Sequence, residues 1–167
     1  ANDSVSVASL AAWETDLRKF LATHPDGWAG PLASAAILKD GKPDGKRSAI
    51  VGKDGTIHRD KPLGKNESLR VAFALDGLAG LAAIRIDLPT EGIDDKTLEA
   101  SYGKSLKLAV SIVQADGKER KMGTGVGEAT VKRRTYRNGD EIPGLPGEWK
   151  LPFTKSEESL RAVWLLD

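Results

Sequence analysis

The chain has 167 residues, of which 40% are hydrophobic, so it is long enough for one domain with a packed core. Its 25 Lys and Arg residues nearly balance its 24 Asp and Glu residues, and a formal net charge of +1 gives no general attraction to nucleic acid or anionic lipid. The absence of cysteine excludes disulfides, thiolate nucleophiles, zinc ribbons and c-type haem attachment. We therefore predict a single domain over residues 1–167, stabilised by packing, with any sub-boundary near residues 90–104.

No stretch of the sequence is typical of a membrane span. The most apolar stretch, Ala72–Leu88, is interrupted by Asp76, Arg85 and Asp87. At the beginning of the chain, Ala1–Ser4 fits either the mature end left by a cleaved signal peptide or an excision point from a larger protein. We expect no membrane span.

The first segment predicts an amphipathic helix over residues 5–23. Its large apolar residues recur at steps of three and four and so share one face: Val7, Leu10, Trp13, Leu17, Phe20 and Leu21. The helix should end at His24-Pro25-Asp26-Gly27, because proline disfavours helical geometry in the residue before it and glycine tolerates positive φ. We expect this helix to pack on the rest of the domain through Trp13 and Phe20.

After Trp28 the sequence favours short strands joined by tight turns. Asp-Gly or Asn-Gly dipeptides, which suit two-residue hairpin turns, begin at residues 40, 44, 54, 76, 116 and 138. About eight runs have strand character. They are Ala35–Lys39, Ser48–Val51, Thr56–Arg59, Ser68–Leu75, Leu81–Leu88, Leu106–Gln114, Thr130–Arg137 and Arg161–Leu166. Residues 90–104 are predicted to form a loop with at most one helical turn, at 96–100.

Two of these runs alternate between apolar and polar residues. Ile84, Ile86 and Leu88 alternate with Arg85 and Asp87, and the run from Leu106 to Ile112 follows the same pattern. A period of two indicates an antiparallel sheet with one buried face. The predicted fold class is therefore mainly β: an antiparallel β-sandwich or jelly roll with one N-terminal amphipathic helix.

The first half of the chain carries a family resemblance. The motifs are Ala11-Ala12-Trp13-Glu14, Asp26-Gly27-Trp28 with Pro31-Leu32 and Ala33-Ser34-Ala35, the turn Lys53-Asp54-Gly55-Thr56-Ile57, the strand Leu69–Leu75, and the run Gly80–Pro89. Together they resemble a segment of large exported planctomycete proteins that carry a cytochrome-c-like domain beside planctomycete-specific domains. The match covers roughly residues 8–90, and Thr90–Tyr102 lacks the glycine-rich loop of that pattern. The resemblance implies a carbohydrate-binding-like jelly roll in an exported, periplasmic or extracellular, protein without assigned catalytic residues.

Four residues are candidates for ligand contact. Trp28 and Trp149 follow glycine in loop-like contexts, where an exposed indole can stack on a sugar ring, although a buried plug at the end of a sandwich is the alternative. In the basic run Val131–Arg137, an extended backbone would place Arg134 and Tyr136 on one face, where they can meet an anionic sugar. The alternative for this run is a charged edge strand that resists pairing with another sheet.

Other patterns favour plain structural roles. Gly123–Gly127 resembles a phosphate loop, but no helix follows it, so a flexible turn or bulge is predicted instead. His24 and His58 have no second histidine at ligand spacing, so we expect no metal site. Calcium is compatible with the oxygens of Glu91, Asp94 and Asp95, but their spacing is not that of a regular calcium loop.

The sequence shows no catalytic unit, since neither histidine lies in a nucleophile motif and no pair of carboxylates can be matched across a cleft. We expect a non-catalytic exported module that binds carbohydrate. The alternatives are a structural or assembly domain that binds another protein and, with less weight, a polysaccharide-active enzyme. A nucleic-acid partner is not expected.

Overall fold

The computed structural model describes residues 3–29, 33–74, 81–90, 94, 96–97, 100, 105–114, 116–145, 147–151 and 159–167, with side chains from residue 7 onward. The helix is α1 (Asp3–Thr23). The strands are β1 (Ala33–Lys39), β2 (Lys42–Pro43), β3 (Ala49–Val51), β4 (Ile57–Arg59), β5 (Glu67–Phe73), β6 (Ala83–Leu88), β7 (Ser105–Leu106), β8 (Val110–Val113), β9 (Glu119–Met122), β10 (Thr124–Ala129), β11 (Tyr136–Arg137), β12 (Asp140–Glu141), β13 (Trp149–Lys150) and β14 (Leu160–Leu166).

The strands form antiparallel sheets. Two sheets have three strands, in the orders β2-β1-β5 and β10-β14-β6, and the other described strands pair as β3-β4, β7-β13, β8-β9 and β11-β12. The fold class predicted from the sequence, mainly β with antiparallel sheets and an N-terminal helix, is therefore confirmed. The single-domain boundary stays a prediction.

Tight turns join several of these pairs where the sequence predicted them. Asp40-Gly41 links β1 to β2 and Asn138-Gly139 links β11 to β12, with φ values of 51° and 79° in the first turn and 53° and 90° in the second. Positive φ at both central residues is the geometry that matches the right-handed twist of a hairpin. The Asp76-Gly77 dipeptide lies outside the described residues.

The main core lies on the inner face of the sheet β10-β14-β6. Its buried members are Leu88, Leu145, Trp149, Leu151, Leu160, Ala162 and Trp164, with Ile86, Leu106 and Leu108 packed at its margin. The predicted alternation is confirmed where the two runs meet this core, since Ile86, Leu88, Leu106 and Leu108 pack in it while Asp87 and Lys107 are exposed. Val110 and Ile112, further along the second run, are half-buried outside this cluster. In the sheet β2-β1-β5, the buried residue is Ile37.

Two strand predictions need correction. Within Thr130–Arg137, only Tyr136 and Arg137 are in a strand, and the longer strand of this region is β10, in the glycine run predicted as a turn or bulge. The bulge part of that prediction agrees with the structure, because the pairing of β10 with β14 shifts in register between Thr124 and Gly127. Glycine disfavours strands by itself, so here the tertiary packing overrides local propensity. The run Leu106–Gln114 is divided into β7 and β8 by residues 107–109.

The apolar face of α1 also differs from expectation. The helix ends as predicted, with the His24 N–H donating to the Phe20 carbonyl at 2.8 Å and the Gly27 N–H donating to the His24 carbonyl at 2.9 Å. Its Trp13 side chain, however, is 59% exposed rather than in a core, and Val7, Leu10 and Leu21 are also exposed. None of the described strands makes an extended contact with α1. Periodicity defined the apolar face but not what covers it.

A buried arginine fastens the loop between β4 and β5. The Arg47 side chain is only 3% exposed, and its Nε atom donates to both carboxylate oxygens of Asp60, at 3.0 and 3.1 Å. The same guanidinium pairs with Glu67 and donates to the carbonyl of Lys61 at 2.8 Å. The pKa of Glu67 is lowered mainly by the hydrogen bond from the Gly64 N–H and, to a smaller extent, by the hydrogen bond from the Arg47 guanidinium. With its donors engaged in this way, Arg47 is a structural residue.

Candidate functional site

Trp149, predicted as a ligand-contact candidate, belongs to the core. Its side chain is 0% exposed, its indole N–H donates to the Val131 carbonyl at 2.9 Å, and its ring meets Trp164 edge-on, with the ring centroids 6.3 Å apart. A buried indole with a satisfied N–H is a stable packing element. In this position Trp149 cannot stack on a ligand, so the alternative weighed for it, a buried plug, describes it correctly. The signal that could have identified it is the apolar alternation of Trp149 with Leu151.

Trp28 lies on the opposite side of the same sheet. Trp164 is paired with Ile84 across β14 and β6, and both point to the inner face, whereas Arg85 is the next residue along β6 and points outward. The Arg85 guanidinium carbon lies 5.0 Å from the centroid of the Trp28 ring. The two tryptophans that the sequence nominated together therefore lie on opposite faces of one sheet.

An alternating row of charges holds Trp28 in place. Arg85 pairs with Asp26 at 3.0 Å and with Asp87 at 3.4 Å, and Asp87 accepts a bidentate contact from Arg161 at 2.9 and 3.2 Å. The pKa of Asp26 is lowered mainly by the hydrogen bond from the Trp28 backbone N–H and, to a smaller extent, by the hydrogen bond from Arg85. Trp28 is half-buried, and one face of its ring is covered by the cation. This arrangement anchors the segment after α1 to β6 and leaves at most one face of the indole for a ligand.

Tyr136 and Arg134 do come together. Tyr136 is 57% exposed on β11, and the Arg134 guanidinium lies 3.8 Å from the Glu141 carboxylate of the paired strand β12. The pKa of Arg134 is raised mainly by a hydrogen bond with the Tyr136 hydroxyl and, to a smaller extent, by the negative charge of Glu141. Lys132 is held elsewhere, because its ammonium donates to the Gly144 carbonyl at 3.0 Å. An exposed phenol ring beside a guanidinium is suited to stacking on a sugar and pairing with an acidic group.

The surface that sequence reasoning assigned to the core is the exposed face of α1. We call the apolar stripe the set Val7, Leu10, Trp13, Leu17, Phe20 and Leu21. Leu17 and Phe20, towards the end of the helix, are half-buried, whereas the other four are exposed. Exposed apolar side chains that are contiguous on one face are a candidate interaction surface.

Among the described residues, the remaining candidates are not assembled into a ligand site. A shallow groove of about 340 Å³ is lined by residues 56–62 and Pro89, and its Asp60 is already paired with Arg47. Of the three proposed calcium ligands, Glu91 and Asp95 lie outside the described residues. The Asp94 carboxylate accepts hydrogen bonds from the N–H and hydroxyl of Thr97, both at 2.9 Å, and the Thr97 N–H lowers its pKa. Within the described ranges, no group of three or more potential ligands is placed to hold a metal ion.

No family model, curated protein or solved structure matches the chain. The resemblance to the planctomycete segment accordingly stays a prediction. In the described part of the chain, no helix has both the length and the apolar character needed to cross a membrane.

Proposed function

We propose that this chain is a non-catalytic, β-sandwich-like module that assembles with another protein through the apolar stripe of α1. The observation that carries this proposal is the exposure of Trp13, together with Val7 and Leu10 on the same face. Tryptophan contributes a large apolar area, and buried tryptophans dominate the binding energy of many interfaces. A helix whose anchors recur at steps of three and four is a common protein-recognition element.

The charges on α1 favour a protein partner over a lipid surface. Helices that lie on membranes are typically rich in Lys and Arg on their polar face. The α1 sequence instead contains three acidic residues, Asp3, Glu14 and Asp16, and two basic residues, Arg18 and Lys19. This balance gives no net attraction to anionic lipid.

Affinity capture from an extract of the cells that produce the chain tests this function, with three forms compared side by side. Trp13→Glu places a charge in the apolar stripe. Thr15→Glu makes the same change of charge on an exposed position of the opposite helix face. We expect specific proteins to be retained by the wild type and by Thr15→Glu and lost with Trp13→Glu. Equal retention by all three forms would reject the apolar stripe as the docking element.

The exposed pair of Tyr136 and Arg134 supports a second candidate function, carbohydrate binding. The expected ligand carries a sugar ring for the phenol and an acidic group for the guanidinium. On an affinity gel of acidic polysaccharide, Tyr136→Ala should abolish retardation. The matched control is Val113→Ala, which truncates an equally exposed side chain on the β8–β9 hairpin. If the wild type migrates unretarded on every gel, this candidate fails.

The resemblance to exported planctomycete proteins supports a location outside the cytoplasm for either function. Fractionation of cells that express the complete gene, followed by immunodetection of the chain, tests this location.

A further inference from the structure

We infer that the partner of α1 is a second copy of this chain and that two α1 helices pair in parallel along their apolar stripes. This inference rests on the proposed function and names its partner. Four stripe residues, Leu10, Trp13, Leu17 and Phe20, are separated by three, four and three residues. This spacing is that of the a and d positions of a heptad, with which two helices can interlock side chains.

We call the a and d residues Leu10, Trp13, Leu17 and Phe20 the seam, and two further stripe residues lie beside it. Val7 and Leu21 are fourteen residues apart, so they occupy equivalent heptad positions directly after a d position. In this register they flank the seam on one side, together with Glu14. A symmetric pair brings the same surface of each chain together, which is the requirement for a twofold dimer.

The charges beside the seam select the parallel orientation. In a parallel, in-register pair, the positions that meet across the interface are Ser9 with Glu14 and Asp16 with Leu21, so no like charges meet. In an antiparallel pair centred on the same seam, Glu14 would face Glu14 and Asp16 would face Asp16. Like charges at these positions destabilise pairing. The near-zero net charge of the chain adds no long-range repulsion between copies.

The attachment of α1 leaves four stripe residues exposed to a second copy, Val7, Leu10, Trp13 and Leu21, while Leu17 and Phe20 are half-buried. The Asp26 contact with Arg85 ties the segment that follows α1 to β6, and none of the described strands makes an extended contact with α1. At 1.5 Å per residue, the stripe from Val7 to Leu21 is about 21 Å long and, at a helix width of about 10–12 Å, presents roughly 250 Å² in projection. This is about a third of the roughly 800 Å² per partner that a stable interface buries, so we expect weak pairing that depends on protein concentration.

Sedimentation velocity of the complete chain, from micromolar to near-millimolar concentrations, tests the dimer. We expect the mass of the wild type and of Thr15→Glu to rise from the 17.8 kDa monomer to twice that value, while Trp13→Glu stays monomeric. Because Trp13 is exposed, the variant should keep the unfolding transition of the wild type, which separates loss of pairing from loss of fold. A wild type that is monomeric throughout, or a Trp13→Glu variant that dimerises equally, would overturn the inference. Capture of a different protein in the preceding experiment would then leave the proposed function intact.

The orientation is tested with a single spin label, since the chain contains no other cysteine. In Thr23→Cys, the labels of a parallel pair lie side by side. In an antiparallel pair with Trp13 opposite Leu17, residue 23 lies level with residue 7 of the other copy, so the labels are offset by about 24 Å along the axis. A pulsed-dipolar distance at the longer value would overturn the parallel arrangement.

Discussion

Replacement of Gly127 by alanine tests the packing of the main core most directly. Gly127 on β10 lies opposite Trp164 on β14. A Cβ atom at Gly127 would lie 2.6 Å from Cδ1 and 2.8 Å from Nε1 of Trp164, and 3.1 Å from the Cβ atom of Leu145. Both neighbours are buried, and the Trp164 ring also contacts Trp149, so the indole cannot move without disturbing the core. We therefore expect Gly127→Ala to overpack the core.

The expected cost is at the upper end of the range for overpacking, about 3 kcal/mol. For a chain of this size, that cost corresponds to a fall in melting temperature of roughly 6–12 °C. Urea unfolding, followed by tryptophan fluorescence and far-ultraviolet circular dichroism, measures it. The matched control is Gly45→Ala, where a Cβ atom would meet nothing within 4 Å and φ is not positive, so a change within about 0.5 kcal/mol is expected.

A second measurement identifies the source of the cost. If the indole of Trp164 is the obstacle, the penalty for Gly127→Ala should shrink by about 1 kcal/mol or more in a Trp164→Phe background, since neighbouring changes couple. Equal stability of Gly127→Ala and Gly45→Ala would refute the packing argument. An unchanged penalty in the Phe background would refute the role given to Trp164.

Three further predictions concern stability. Arg47→Met should lower the melting temperature more than Arg70→Met, because Arg47 is enclosed whereas Arg70 pairs with Glu119 at the surface; equal effects in differential scanning calorimetry would contradict this. The pKa of Glu67 lies below its ordinary value, so the contribution of the Glu67 carboxylate to the free energy of unfolding is complete above about pH 4.3 and is lost as the pH falls through the folded-state pKa. Glu67→Gln should therefore make the free energy of unfolding fall less steeply at acid pH. A fall as steep as in the wild type would contradict this prediction. Trp149→Phe should cost about 1–3 kcal/mol in urea unfolding, because it leaves the partly buried Val131 carbonyl without its donor.

Much of the architecture could be predicted because local rules govern it. The end of α1 depends on neighbouring proline and glycine, and the hairpins at residues 40 and 138 depend on dipeptides that accept positive φ. The alternation in β6 follows from a sheet with one buried face, since successive side chains point in opposite directions. These features require information from only a few consecutive residues.

The strand β10 could not be predicted in this way. Its glycines disfavour a strand, and the reason for Gly127 lies in the indole of Trp164, thirty-seven residues further along the chain. The basic run Val131–Arg137, which follows β10, has the residue pattern that predicts a strand. In the structure its backbone and the Lys132 side chain instead bond to Lys150 and Gly144. Contacts distant in sequence decided both outcomes.

The features of the candidate sites also divide into those that the sequence determines and those that depend on tertiary contacts. The sequence by itself determined that α1 has one apolar face, that Tyr136 and Arg134 are close along the chain, and that no cysteine chemistry is available. Only the tertiary structure decided that Trp149 is enclosed while Trp13 is exposed, and that Trp28 lies across the sheet from Trp149 beneath Arg85. Burial depends on which surfaces meet: Trp149, which lies between Glu148 and Lys150 in sequence, meets a complete core, whereas Trp13, which has periodic apolar neighbours, meets solvent.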